Sequence, residues 1–132
     1  MYLVSQLVNL VIKHNLSPES SDLELLAWYK YGVEEGMVEY LTDGKGNVIG
    51  FLDWVRLREV PKSMAHAKEL FDGSKTGPVL FMANCVAPDL HSLMVLGRRA
   101  VDKNKDSQIM CYHNRKKDTM FVKRRREKCL LY

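Results

Sequence analysis

The chain has 132 residues, 46% apolar and 27% charged, which predicts one packed globular domain spanning 1–132. Its apolar runs are too short to span a bilayer, and residues 1–13 have no basic segment before them and no small-residue cleavage site after them; a cytoplasmic protein is expected. The net charge of +4 is uneven: residues 98–128 hold 12 Lys/Arg against 4 Asp/Glu, a surplus of +8 beside a remainder of −4. That basic third predicts an anionic partner, or a charged sheet edge that resists aggregation.

In chain order, Val4, Leu7, Val8 and Val11 recur at helical spacing and predict an amphipathic helix over 2–14. Ser17-Pro18-Glu19 reads as a helix start, with Ser17 as cap and Pro18 in the first turn. Leu23, Leu26 and Ala27 form the expected buried face, and Gly32 fits the left-handed residue past its end. Residues 37–42 and 48–57 are strands joined by Asp43-Gly44-Lys45-Gly46-Asn47, whose residues tolerate positive φ. Both faces of 48–57 are largely apolar, so this strand is expected to be central, with Gly50 marking a bulge. Asp53 shares a face with Phe51 and Val55, and an inward carboxylate needs a partner.

Residues 63–71 predict a short helix. The loop Gly73-Ser74-Lys75-Thr76 lacks the preceding glycine of a nucleotide loop, and a strand rather than a helix follows it. Residues 79–86 form the expected central strand, stopped by Pro88. Pro88 or Asp89 opens a helix whose predicted buried face is Leu90, Leu93, Met94, Gly97 and Val101. Strands at 108–113 and 119–123 flank Asn114-Arg115-Lys116-Lys117-Asp118, giving a basic hairpin over 108–126 with Phe121 expected in the core. Cys85, Cys111 and Cys129 are odd in number and widely spaced; Cys85 and Cys111 fall in strand patterns and read as buried free thiols, with no zinc spacing and no metal expected.

Two amino-terminal helices, a hairpin, a helix, a central strand, a helix and a final strand pair resemble an N-acetyltransferase-like (GNAT-like) domain, an α/β (α+β) fold with a mixed, mostly antiparallel sheet. Tyr40, Leu41, Asp43, Gly46, Asn47, Ile49 and Trp54 in the hairpin, and Phe81 to Pro88 ending in Ala87-Pro88, resemble the toxin-activating lysine acyltransferases over roughly 37–126. That GNAT-like group moves fatty acyl chains from acyl carrier protein to toxin lysines. The resemblance implies an acyltransferase-like protein and an acyl donor, either acyl-CoA or the phosphopantetheine of an acyl carrier protein. It also implies a catalytic His near the amino terminus, for which His14 is the candidate, and a central-strand Asp, whose position is taken here by Asn84. An amide is no base, so Asn84 is expected to orient rather than to accept a proton. The backbone at Cys85 and Val86 is the expected platform for the acyl arm.

Val86-Ala87-Pro88-Asp89-Leu90-His91-Ser92 contains no glycine; Pro88 removes one N–H donor, and Asp89 puts negative charge where a pyrophosphate would lie. This argues against conventional acetyl-CoA binding and leaves the carrier-protein arm. The alternative reading is a non-catalytic binding protein. It would use Arg115, Lys116, Lys117, Lys123, Arg124, Arg125 and Arg126 on nucleic acid or an acidic protein partner, with Tyr112, Phe121 and His113 interleaved. His66 and His91 read as surface residues.

Overall fold

The computed structural model describes residues 2–125. Helix α1 (Tyr2–Lys13) buries the expected stripe of Val4, Leu7, Val8 and Val11. Helix α2 (Asp22–Glu34) starts later than the Ser17-Pro18 reading: Ser21 is its cap. The Ser21 hydroxyl accepts the N–H of Glu24 at 3.2 Å, and the Glu24 carboxylate accepts the N–H of Ser21 at 3.0 Å. This reciprocal box satisfies two orphan donors, whereas Ser17 and Pro18 form only a turn. The buried face of α2 is Leu25, Tyr29 and Gly32, not Leu23, Leu26 and Ala27; Leu23 is 78% exposed. Gly32 lies inside the helix, where an added Cβ would meet a Val38 methyl at 3.0 Å; the left-handed residue is Gly36, with φ 73°.

Strands β1 (Val38–Thr42) and β2 (Val48–Leu57) pair antiparallel, and the register slips between Leu41↔Gly50 and Thr42↔Val48, the expected bulge. In the loop between them, the Asp43 carboxylate accepts the N–H groups of Lys45 and Asn47 at 2.8 and 3.0 Å. These bonds, that of Asn47 first, hold its carboxyl below the usual range, and Gly46 has φ 84°. The Asp-x-x-Gly-Asn element is therefore turn chemistry. Nearly all of β2 is buried, as expected of a strand covered on both faces.

Helix α3 (Met64–Leu70) is capped by Ser63, and β3 (Val79–Val86) follows. Helix α4 (Leu90–Lys103) buries Ser92, Leu96 and Ala100; the face expected inside, Leu90, Leu93 and Met94, is exposed. Small residues let α4 approach β1 closely, and Lys103 and Arg99 fasten it there, to the Glu39 carboxylate at 3.0 Å and the Tyr40 carbonyl at 3.1 Å. Strands β4 (Ile109–Asn114) and β5 (Thr119–Arg124) form the final hairpin. Phe121 is exposed on β5 rather than in the core, and Arg126 and Cys129 lie outside the described residues.

The strands run β1-β2-β3-β4-β5 across one mixed sheet, with β3 and β4 parallel and both hairpins antiparallel. With four helices among the described residues, this is the α+β class expected. Contacts divide the chain into two units: residues up to Trp54 with Asn84–Lys103, and Val55–Ala83 with the chain from Asn104 onward. The first has a core of α1 and α2 residues packed with Val38, Val48 and Phe51. The second is organised on Arg56, which is 1% exposed. Its guanidinium donates to the Gly77 carbonyl at 2.7 Å, to Asn104 at 3.1 Å and, as a fork, to Asp106 at 2.9 and 3.0 Å. No described helix is long and apolar enough to cross a membrane.

At Gly50 an added Cβ would meet the Val86 carbonyl oxygen at 2.7 Å and Pro88 Cδ at 3.3 Å. Gly50→Ala is expected to lower stability by about 1–3 kcal/mol, seen as a reduced urea midpoint. An unchanged midpoint would show that the β3 exit shifts freely.

Candidate functional site

The first unit buries a polar cluster built from three elements. Asp53 on β2 and Tyr29 on α2 are each 1% exposed, and Asn84 on β3 is 9% exposed. Tyr29 Oη donates to Asp53 Oδ2 at 2.5 Å, and the Asn84 backbone N–H donates to Oδ1 at 2.9 Å. Asn84 Nδ2 adds a bond to Oδ2 at 3.1 Å. The Tyr29 ring meets Phe51 edge-on at 5.7 Å, which fixes where its hydroxyl points. The sequence-stated need of Asp53 for a partner is met three times over. Sequence reasoning missed Tyr29, whose period along α2 with Leu25 and Gly32 was the available sign.

This carboxylate accepts three hydrogen bonds from within the unit, and the cluster ties α2, β2 and β3 together. It also sets the direction of β3. Because the Asn84 N–H turns toward Asp53 on β2, alternation turns the N–H and C=O of Cys85 to the opposite edge of the strand. The β3–β4 ladder ends at Met82↔Tyr112; the next pair, Ala83 and His113, is not in it, although both strands continue.

The Cys85 side chain is exposed, against the buried reading, while Cys111 is buried as expected. Shelter of its sulfur first, and the Asp53 charge second, push the Cys85 thiol up to about 11. It is therefore a thiol at neutral pH and a poor nucleophile. After Val86, Asp89 caps α4: its Oδ1 accepts the Ser92 N–H at 2.7 Å, and this bond foremost lowers its carboxyl pKa. The α4 start thus carries its own anion, and this charge lies at the end of the helix that favours negative groups.

His14 lies in the exposed turn after α1, and His91 is exposed at the start of α4. His66 accepts the Lys62 N–H through Nδ1 at 2.9 Å. His113, with a side chain 12% exposed, is bonded through Nε2 to Asp118 at 2.8 Å, and its buried Nδ1 has no partner among the described residues. Asp118 holds the turn with φ 49°. Arg115, Lys116, Lys117, Lys123 and Arg124 are exposed on the hairpin. Arg125 instead donates to the Ser107 carbonyl at 2.8 Å and the Asn104 carbonyl at 3.2 Å. A pocket of about 230 Å³ between α1 and the start of α2, lined by Val11, Asn15, Ser17, Asp22 and Leu25, includes none of Asp53, Asn84 or Cys85. No group of three metal-ligating side chains occurs among the described residues.

Two predictions test the cluster. Tyr29→Phe is expected to lower stability by about 1–3 kcal/mol, measured by urea unfolding, because it strips a donor from a buried carboxylate. Asn84→Asp places a second carboxylate beside Asp53, and repulsion raises the folded pKa of the pair. The protonated pair is tolerated below that pKa and the penalty grows as pH rises through it, so its midpoint deficit should shrink between pH ~8 and pH ~4. For Cys85, a thiol pushed up to about 11 implies iodoacetamide alkylation at pH ~7.5 roughly tenfold slower than that of an ordinary exposed thiol, because the smaller thiolate fraction is partly offset by its greater nucleophilicity. Alkylation at the ordinary rate would show that the sulfur is not sheltered.

No protein-family model matches the chain, and no curated protein matches it. Among solved structures, the GphF GNAT-like decarboxylase in complex with isobutyryl-CoA is similar, with a TM-score of 0.59 and 17% identity over 83% of this chain. The chain spans 60% of that protein's length. The order of elements and this likeness together give the chain a GNAT-like fold.

Proposed function

We propose that this GNAT-like chain binds an acyl thioester presented on the phosphopantetheine arm of an acyl carrier protein, in the manner of the toxin-activating lysine acyltransferases, and transfers the acyl group to an amine. The observation that carries the reading is the strand edge at Cys85; Val86, expected beside it in the platform, turns its carbonyl toward Gly50 on β2 instead. Asp53 draws the Asn84 N–H toward β2, which leaves the Cys85 N–H and C=O aimed the other way, beyond the end of the β3–β4 ladder. An amide-bearing arm can pair with such an edge as an added strand does. The solved GNAT-like neighbour, in complex with an acyl-CoA, supports an acyl-thioester ligand for the fold.

Asp89 favours the carrier arm over free CoA, because the arm brings no adenosine pyrophosphate to the α4 start. His14 is the base candidate from the family resemblance; it would take the proton of the attacking amine as the C–N bond forms and the C–S bond breaks, releasing a free thiol. Asn84 positions Asp53 and β3 rather than touching the reacting atoms.

Native mass spectrometry of the protein with octanoyl carrier protein and octanoyl-CoA tests this. Retention of the carrier protein above CoA is expected, with Cys85→Ser unchanged, Cys85→Pro weakened through loss of its N–H, and Asp89→Asn raising CoA retention. His14→Ala should keep the carrier and lose acyl transfer to the amine of a lysine-containing peptide. No retention of either thioester would sink the reading.

A further inference from the structure

The β4–β5 hairpin holds two aromatic rings on its outside. Tyr112 and Phe121 are directly opposed in the register, with centroids 4.9 Å apart and planes tilted by 25°, a stacked pair. They are 43% and 49% exposed. Cross-strand packing explains why they touch each other; it does not explain why both stay in water on a strand at the end of the sheet order. By alternation Lys123 shares their face, about 7 Å along β5 from Phe121. Lys116 and Lys117 are exposed in the turn, and Arg124 is exposed at the strand end. Asp118, the one carboxylate between Ile109 and Arg124, is bonded to His113.

A second copy of the chain is a poor occupant of this edge, because it would bring a second set of exposed cations to a hairpin that already carries Lys116, Lys117, Lys123 and Arg124. An uncharged apolar segment would bury the rings and leave the cations without counter-charge. A single-stranded nucleic acid meets both needs: unstacked bases lie on ring faces, and phosphates lie near the cations. A duplex keeps its bases in its own stack and makes no use of the rings.

We propose that the β4–β5 hairpin is a single-stranded nucleic-acid platform, with Tyr112 and Phe121 as the stacking surface and Lys116, Lys117 and Lys123 as the phosphate contacts. This site stands independently of the acyl-thioester reading.

Fluorescence anisotropy of the full chain with labelled oligo-dT and oligo-U of about 12 nucleotides tests it. Three phosphate contacts give an expected slope of log affinity against log salt of about −2. Lys116→Gln with Lys117→Gln should lower that slope by about 1.4 for both oligonucleotides. Tyr112→Leu and Phe121→Leu keep apolar volume on the hairpin and remove the stack; each should weaken binding about fivefold or more with the slope unchanged. A matched duplex should bind more weakly than the single strand. The proposal is overturned by an absence of binding at low salt, by binding indifferent to both Leu variants, or by equal affinity for the duplex. Displacement of the oligonucleotide by polyglutamate at equal charge would assign the patch to acidic protein and overturn it as well.

Discussion

A carboxylate sealed inside the first unit governs what surrounds it. Removing an ionised Asp from water carries a penalty of several kcal/mol unless donors replace its hydration. Asp53 receives them from the Tyr29 phenol, the Asn84 amide side chain and the Asn84 main chain. Those bonds tie α2 and β3 to β2 in one arrangement, since a shift of any element leaves a buried acceptor unsatisfied. The same bonds explain why an amide suits position 84: it donates to Asp53, whereas a carboxylate there would repel it.

The consequence passes along the strand. One main-chain N–H claimed by Asp53 fixes which edge each later residue of β3 addresses, so the orientation of Cys85 follows from a side chain on a neighbouring strand. Gly50 admits the Val86 carbonyl to close range, and Asp89 then closes the start of α4 with its own charge. The close approach at Val86 and the cap at Asp89 thus shape the same stretch of chain, from the end of β3 into the first turn of α4.

In the second unit the constraint has the opposite sign. The Arg56 guanidinium is buried and makes four hydrogen bonds, two to Asp106 and one each to the Gly77 carbonyl and Asn104. Gly77 is required there because a Cβ would meet the Leu57 carbonyl oxygen at 2.5 Å. Arg125 fastens the Asn104–Ser107 turn from the other side. Basic residues counted together in the sequence therefore divide by role: Arg125, like Arg99 and Lys103 on α4, is engaged with the fold, while Lys116, Lys117 and Lys123 are exposed on the hairpin that carries two stacked rings.

The sequence alone determined the strands, the turn at Asp43-Gly44-Lys45-Gly46-Asn47, the bulge near Gly50 and the stop at Pro88, because each rests on local backbone chemistry. It also carried the Ser21-to-Glu24 capping box, which the neighbouring Ser17-Pro18 pair obscured. It did not decide which faces of α2 and α4 turn inward. Both helices have apolar residues on two sides, and burial went to the sides where Tyr29 reaches a carboxylate and where Ser92 and Ala100 are small enough to pack. Exposure of Phe121 and Cys85, and the pairing of Asp53 with residues 24 and 31 positions away, were settled by tertiary structure, since hydrogen-bond satisfaction and water access depend on groups brought together only by folding.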